Sequence, residues 1–353
     1  MSIGIPSRVG LVGYGLAGSV FHGPLIEATD GLALTSVVTA DPDRRDQVRA
    51  QHPEALVLSA FDELLAAHPD LIVVASPNRT HVPLARAALE AGIAVVVDKP
   101  LAGTAAEGQA LVELAAERGL LLSVFQNRRW DNDFLTLRSL MDKGELGDVL
   151  RFESRFERWR PELKGGWRES GDPAEVGGLL YDLGSHLVDQ ALTLFGPPEQ
   201  VYAEVDVRRE GARADDDAFI ALRHRGGARS HLWMSAVASR LGPRLRVLGS
   251  RAGYVKYGLD PQEAALKEGW DPVSTHDHTW GAEPEEMWGT VGAGEDTRLV
   301  PSLPGDYPAY YRGIAKALRE GGPAPVEGSD AVNVLCVLEA AGRSAAEGRA
   351  VRL

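Results

Sequence analysis

Val9-Gly10-Leu11-Val12-Gly13-Tyr14-Gly15-Leu16-Ala17-Gly18 is the stretch on which the fold turns. An apolar run breaks into three glycines, Gly13, Gly15 and Gly18, and a helical pattern over 20–29 follows. A glycine loop that leaves a strand and opens a helix is the setting in which a dinucleotide is bound. Gly13 permits the tight turn. Gly15, with Leu16 and Ala17 beside it, lets a pyrophosphate approach the backbone, and Gly18 allows the helix to pack closely on the strand. The helix N-terminus adds amide donors and a favourable dipole for the anion.

Working outward, 32–39 is a second β-run, and 71–75 and 93–97 are continuous apolar runs of the kind found in strands buried on both faces. Helical patterns at 61–67 and 82–91 lie between them, and a third at 107–118 leads into an apolar run at 120–125. Strand–helix alternation on this scale predicts a doubly wound parallel sheet, an N-terminal Rossmann domain over 1–126. From 149 to 159 the residues alternate instead, which predicts a long strand in an antiparallel sheet open on one side. The runs 201–207, 218–224, 230–236 and 244–248 continue that meander, while 260–303, rich in Gly, Pro and Trp, reads as excursions from the core. Helices at 310–320 and 330–347 close the chain. The expected fold class is therefore α/β: the Rossmann domain plus a C-terminal α+β domain over 127–353. Its large, open-faced, mostly antiparallel sheet has a spare face suited to a homodimer or homotetramer.

Composition narrows the partners. With 353 residues, 44% of them hydrophobic and 25% charged, the chain has the size of two domains and the mix of a globular protein. A net charge of −13 disfavours nucleic acid and anionic membrane surfaces, which require a basic footprint. Cys336 is the sole cysteine, so neither an internal disulfide framework nor a cysteine-type zinc site is expected. No apolar run approaches the roughly 20 residues of a bilayer span, and the N-terminus lacks the features of a signal peptide. The chain reads as cytoplasmic.

Two further motifs carry chemistry. Asp98-Lys99-Pro100 follows the valine run 95–97, and the carboxyl ends of strands are where a doubly wound sheet binds ligands. A lysine in a turn is ordinarily a surface residue, so its functional reading needs support. The stretch Gly177-Gly178-Leu179-Leu180-Tyr181-Asp182-Leu183-Gly184-Ser185-His186 supplies it. If it is helical, Asp182 and His186 are four apart on one face, and a carboxylate beside an imidazole suits acid–base work. The alternative is an ordinary polar pair on a solvated helix.

The glycine loop, the Lys-Pro after a valine strand and the Asp-x-x-x-His stretch together resemble the glucose–fructose oxidoreductase, inositol dehydrogenase and rhizopine catabolism family, Gfo/Idh/MocA, over essentially the whole chain. Pro77-Asn78-Arg79-Thr80-His81 resembles the family's loop after the fourth strand, whose Pro-Asn lies along the cofactor. Gly13–25 and 126–134 are similar to the NADP-linked scyllo-inositol dehydrogenase branch. The resemblance implies a catalytic triad of Lys99, Asp182 and His186, with Pro100 beside it, Asn127 and Arg128 near the nicotinamide, and Trp167-Arg168 as cofactor contacts. The implied reaction is reversible, NAD(P)-dependent oxidation of a secondary alcohol of a polyol or sugar to a ketone. The family usually has Glu-Lys-Pro; Asp98 is one methylene shorter.

NADP is the expected preference over NAD. Ala40 stands where NAD-linked inositol dehydrogenases carry aspartate, Thr39 offers a hydroxyl, and Arg44 and Arg45 lie within reach of an extra phosphate. Asp41 is the competing acid if the strand runs one residue further. His276-Asp277-His278 has no third ligand fixed by spacing, so no metal is expected. Trp270, Trp280 and Trp288 read as packing, interface or sugar-stacking residues, and Tyr181 could face core or substrate. The rival readings are a same-fold dehydrogenase for another sugar or a dihydrodiol, and a regulator that senses NAD(P) without consuming it.

Overall fold

The computed structural model describes residues 5–163, 165, 169–172, 175–270, 272 and 279–353, and among them two sheets, each within one compact unit. The first sheet contains β1 (Ser7–Val12), β2 (Leu32–Val38), β3 (Leu56–Leu58), β4 (Leu71–Val74), β5 (Ala94–Asp98) and β6 (Leu122–Phe125). Their order is β3-β2-β1-β4-β5-β6, with every pair parallel. Leu71, Ile72, Val73 and Val74 are all fully buried, which is why this strand shows no polar alternation. Val12, Val38, Val74 and Val97 lie level in the register, so the loops that follow these strands emerge along one edge. The chain order reverses between β1 and β4, and the turn at Gly13 opens at that switch point.

The helix after the glycine loop differs from the regular one expected over 20–29. Its first part, Ala17–His22, is a wide turn in which the Gly23 N–H bonds the Gly18 carbonyl five residues back, and Gly23–Glu27 continues in ordinary α form. Pro24 gives the reason: inside a helix it lacks a donor and its ring collides with the carbonyl four residues earlier, so the turn before it widens.

The units are discontinuous in sequence. The first takes in Met1–Asn127 but also Gln262–Trp280 and Asp306–Val332, which the division at 126/127 places with the second. The physical reason is apolar: Tyr307, Tyr310, Tyr311, Ile314 and Val326 are fully buried in it. Ser123 on β6 bonds the Tyr310 hydroxyl (2.9 Å) and donates to the Val326 carbonyl (2.7 Å). Gln262 Oε1 accepts from the Tyr307 N–H and from Trp280 Nε1, which ties half-buried Trp280 to the same segment.

The second unit holds β7 (Val149–Glu157), β8 (Pro198–Asp206), β9 (Asp217–His224), β10 (Arg229–Ser235), β11 (Leu245–Gly249), β12 (Gly253–Lys256), β13 (Gly289–Ala293), β14 (Asp296–Val300) and β15 (Val351–Arg352). The order is β14-β13-β12-β11-β7-β10-β9-β8-β15. β7 and β10 pair parallel and the other neighbours antiparallel, so the meander is interrupted at the sheet's centre. The region read as excursions contains β13 and β14, a hairpin that extends the sheet. One face buries Phe152, Phe156, Ile220, Leu232 and Val247 in a core shared with Leu187 of the helix Gly184–Phe195 and Leu338 of the helix Gly328–Glu347. The other carries Phe219, His231 and Trp233 in mutual ring contact, with the Arg155 guanidinium 3.9 Å from the Trp233 ring. Among the described residues no helix is long and apolar enough to cross a membrane.

Candidate active site

The three loop glycines are required for different reasons. Gly13 has φ +94°, and a Cβ there would sit 2.7 Å from the Ala75 carbonyl oxygen. At Gly18 a Cβ would lie 2.2 Å from the Gly13 carbonyl oxygen. Chain packing therefore demands glycine at both. Gly15 is different: the nearest atom to its Cβ position is Arg44 Nη1, 3.9 Å away. The folded chain leaves open space there, beside the first helical amides and next to a guanidinium. That cradle, which a side chain would fill, fits a bound dinucleotide with an additional phosphate. Leu16 is exposed and Ala17 half-buried at the mouth of the same turn.

The end of β2 separates the residues expected near the ribose. Thr39 is buried and its N–H bonds the Leu58 carbonyl, whereas Ala40 is exposed. Asp41 caps the helix Pro42–Gln51, its Oδ1 accepting from the N–H groups of Asp43 (3.0 Å) and Arg44 (3.3 Å). Its other oxygen lies 3.5 Å from Arg44 Nε, so this acid already has work as a cap. Arg45 bonds the Ser59 hydroxyl instead, leaving Arg44 as the arginine that faces the glycine loop.

At the edge beyond β4 and β5, Pro77 is extended and precedes the short turn Asn78–Thr80, in which Asn78 is buried. His81, at the end of the loop that resembles the family's cofactor loop, is no free cofactor contact: its ring is buried and both nitrogens face backbone carbonyls, Nδ1 the Pro100 oxygen (2.7 Å) and Nε2 the Ser76 oxygen (2.9 Å). Burial holds its pKa below the usual imidazole range against the pull of those carbonyls. His81 thus ties the loop after β4 to the Lys99–Pro100 turn, whose peptide bond is cis. Asp98 Oδ1 accepts the Lys99 N–H at 2.9 Å. Burial raises the Asp98 pKa, but His22, Lys99 and His81 outweigh it and hold the carboxyl below its ordinary range. Asn127 is buried at the close of the first unit's N-terminal segment.

In the second unit, the stretch bearing Asp182 and His186 is two helical pieces, Leu179–Asp182 and Gly184–Phe195, interrupted at Leu183. Asp182 ends the first piece and His186 lies in the first turn of the second, its N–H bonded to the Leu183 carbonyl. The i,i+4 relation expected of one continuous helix thus spans a break. His186 is buried with its ring 6.4 Å from that of Phe156. Two guanidinium groups also stand over Phe156, Arg128 at 4.9 Å and Arg244 at 4.4 Å. Arg128, expected near the nicotinamide, is nearly buried in this unit and paired with Asp131 at 3.4 Å. Tyr181 packs against the hydrophobic core, and burial pushes its hydroxyl up to about 12.

Asp182 lines a cavity of about 90 Å³ together with Arg158, Arg209, Gly178 and Asp215. Asp215 is a residue that sequence reasoning missed. Its Oδ2 accepts the Leu180 N–H (2.7 Å) and its carbonyl the Leu179 N–H (3.0 Å), capping the helical piece that carries Asp182 from 35 residues away. Burial raises its pKa to about 6 despite those amides. Gly178, at φ +93°, is the only residue type tolerated against it, because a Cβ would fall 1.9 Å from Asp215 Oδ1. Asp215 sits in an Asp-rich run with no pattern that ties it to 180; Gly178 was the one local signal. Trp167, Arg168, His276, Asp277 and His278 lie outside the described residues. Of the remaining tryptophans, Trp270 is half exposed on the wall of a groove with His52 and Leu266.

A parallel sheet with a glycine turn at its switch point and an open cradle at Gly15 defines a dinucleotide-binding oxidoreductase domain. Family models match most of the chain: residues 7–126 the oxidoreductase family NAD-binding Rossmann fold and 138–353 its C-terminal alpha/beta domain. The chain belongs to the Gfo/Idh/MocA oxidoreductase family. It is 39% identical over 351 residues to the scyllo-inositol 2-dehydrogenase (NADP(+)) IolW of Bacillus subtilis, covering 98% of this chain and 96% of that protein. It is 44% identical over 335 residues to the uncharacterized oxidoreductase YdgJ of Escherichia coli, covering 94% of each. Among solved structures, the oxidoreductase yvaA from Bacillus subtilis superposes with TM-score 0.93 at 38% identity, over 100% of this chain and 99% of that one.

Proposed function

We propose that this oxidoreductase catalyses reversible, NADP-linked oxidation of a secondary alcohol of a polyol or sugar, inositol-like in shape, to the ketone. The observation that carries the reading is Lys99 at the carboxyl end of β5, on the edge where the glycine turn opens. The similarity to a protein named an NADP(+)-dependent inositol dehydrogenase supports it. The amides after Gly15 and the Arg44 guanidinium would hold the phosphates, with the exposed Ala40 leaving room for a 2′-phosphate. A bound nicotinamide supplies the hydride acceptor. The hydroxyl proton passes to Lys99 or His186, and the Lys99 ammonium stabilises negative charge on the substrate oxygen. Asp182 orients His186 and the substrate hydroxyls. The open sheet face, with Phe219 and Trp233 on it, pairs copies of the chain into a homodimer or homotetramer.

A screen of polyols and sugars for NADP reduction, run with NADPH binding by fluorescence, tests this. Turnover of at least one cyclic polyol or sugar is expected. Binding of NADPH without consumption across polyols, sugars and their ketones would instead mark a sensor.

A further inference from the structure

We propose that His22 is a positioning residue for Lys99, acting through Asp98, which sets its tautomer, and anchored on its other side by Tyr311. The proposal rests on the reading of Lys99 as a proton-handling group. His22 ends the widened turn after the glycine loop, and its side chain is fully buried with its ring 4.4 Å from that of Phe125 on β6. Nδ1 lies 2.6 Å from the Tyr311 hydroxyl, and Nε2 faces Asp98 Oδ1 at 3.9 Å, an ion-pair distance rather than a hydrogen bond. Among the described residues Nε2 has no partner within hydrogen-bond distance. The same Oδ1 accepts the Lys99 N–H.

A neutral imidazole carries one proton, and the group at each nitrogen decides where it sits. A carboxylate on the Nε2 side favours Nε2–H; the other tautomer would aim a lone pair at a negative charge. Nδ1 is then the acceptor and Tyr311 the donor. Tyr311 keeps its proton, because burial raises its pKa well above the phenol range. Three elements are thereby joined: the helix Pro308–Glu320, the glycine-loop helix and the end of β5. The short Asp98 side chain suits this arrangement, since an aspartate can hold the next backbone N–H while its carboxylate still faces His22. The Lys99 turn is thus set from inside the fold, and a misplacement near 1 Å at a reacting group costs up to about 10²-fold.

The full-length protein tests this with His22→Leu, His22→Gln, Tyr311→Phe and Lys99→Ala. His22→Leu and Tyr311→Phe should lower kcat about tenfold while the cofactor KM moves less than about twofold. His22→Gln should recover most of the loss, its amide N–H facing Asp98 and its carbonyl accepting from Tyr311. Independently of activity, ¹⁵N-histidine NMR of the wild type should show His22 protonated at Nε2, with an Nδ1 resonance that moves in Tyr311→Phe. An Nδ1–H tautomer would overturn the proposal. So would wild-type kcat in His22→Leu, or loss of activity that tracks loss of thermal stability in the near-isosteric Tyr311→Phe. If Lys99→Ala is itself active, the reading of Lys99 fails and this proposal with it; if it is inactive while His22→Leu is not, only the positioning role falls.

Discussion

Lys99 and Arg44 carry the sharpest single-residue expectations. Lys99→Ala should lower kcat by about 10² to 10⁴ with cofactor affinity nearly unchanged, because a positioned proton-transfer group acts mainly in the transition state. A variant with more than about a tenth of wild-type kcat would remove Lys99 from the reaction. Arg44→Ala should raise the NADP KM roughly ten- to a hundredfold, the loss of one charge-assisted contact, and leave the NAD KM alone. Ala40→Asp should shift preference toward NAD by placing a carboxylate against a 2′-phosphate. Steady-state kinetics with both cofactors decides: a wild type that favours NAD tenfold would make Asp41 the selector despite its role as a helix cap. At this scale the sequence was legible where chemistry depends on the residue and its immediate neighbours. Gly13, Gly15 and Gly18 read correctly as a strand-to-helix turn. It was opaque where a side chain's partner is remote: the carbonyls that occupy both nitrogens of His81 come from loops after two different strands.

The interrupted helix at Leu183 changes how the Asp182–His186 pair is to be tested. A break gives the two residues separate supports, so their coupling in function is a stronger statement than proximity on one helix face. In a double-mutant cycle each single change should reduce kcat strongly, and the double change should cost far less than the product of the two. Full additivity would mean independent roles. Asp215 belongs to the same element through its cap. Its pKa of about 6 lies above that of an unfolded aspartate, so the fold favours the protonated carboxyl. That contribution is fully present below about pH 4 and is lost as pH rises through about 6, a change on the order of 3 kcal/mol. Asp215→Asn keeps an acceptor for the Leu180 N–H and cannot ionise. Its Tm relative to wild type should therefore rise between pH 4 and pH 7; a constant gap would show that Asp215 does not titrate there. The hairpin β13–β14 shows why some elements escaped sequence reading. Residues 296–299 are exposed on both sides, and Gly289 exists because Tyr254 fills the place of its side chain. Neither fact leaves a period-two pattern.

On the scale of the molecule, the first unit is not a contiguous run of chain. A fragment ending at 126 would lack Tyr307, Tyr310, Tyr311, Ile314 and Val326, all fully buried in the whole protein. Burial of each such side chain is worth about 1.5–3 kcal/mol, and together they rival the whole stability of a typical domain. Fragment 1–126 should therefore be expanded and show no cooperative thermal transition by circular dichroism, whereas a sharp transition would show that the sheet is sufficient alone. The strand–helix rhythm made the parallel sheet legible. The return of the chain was not legible, because an apolar helical face at 310–320 gives no address for the surface it will cover.

That return also sets a schedule for synthesis. Residue 127 leaves the ribosome long before residue 332, the last of the first unit, and the intervening stretch is about 205 residues. At about 5–20 residues per second, the unfinished sheet waits some 10–40 s for its missing helix. Throughout that interval the apolar side chains destined to cover Tyr310 and Tyr311 have no partner to bury them, and they form a stretch of nascent chain that a chaperone has reason to bind.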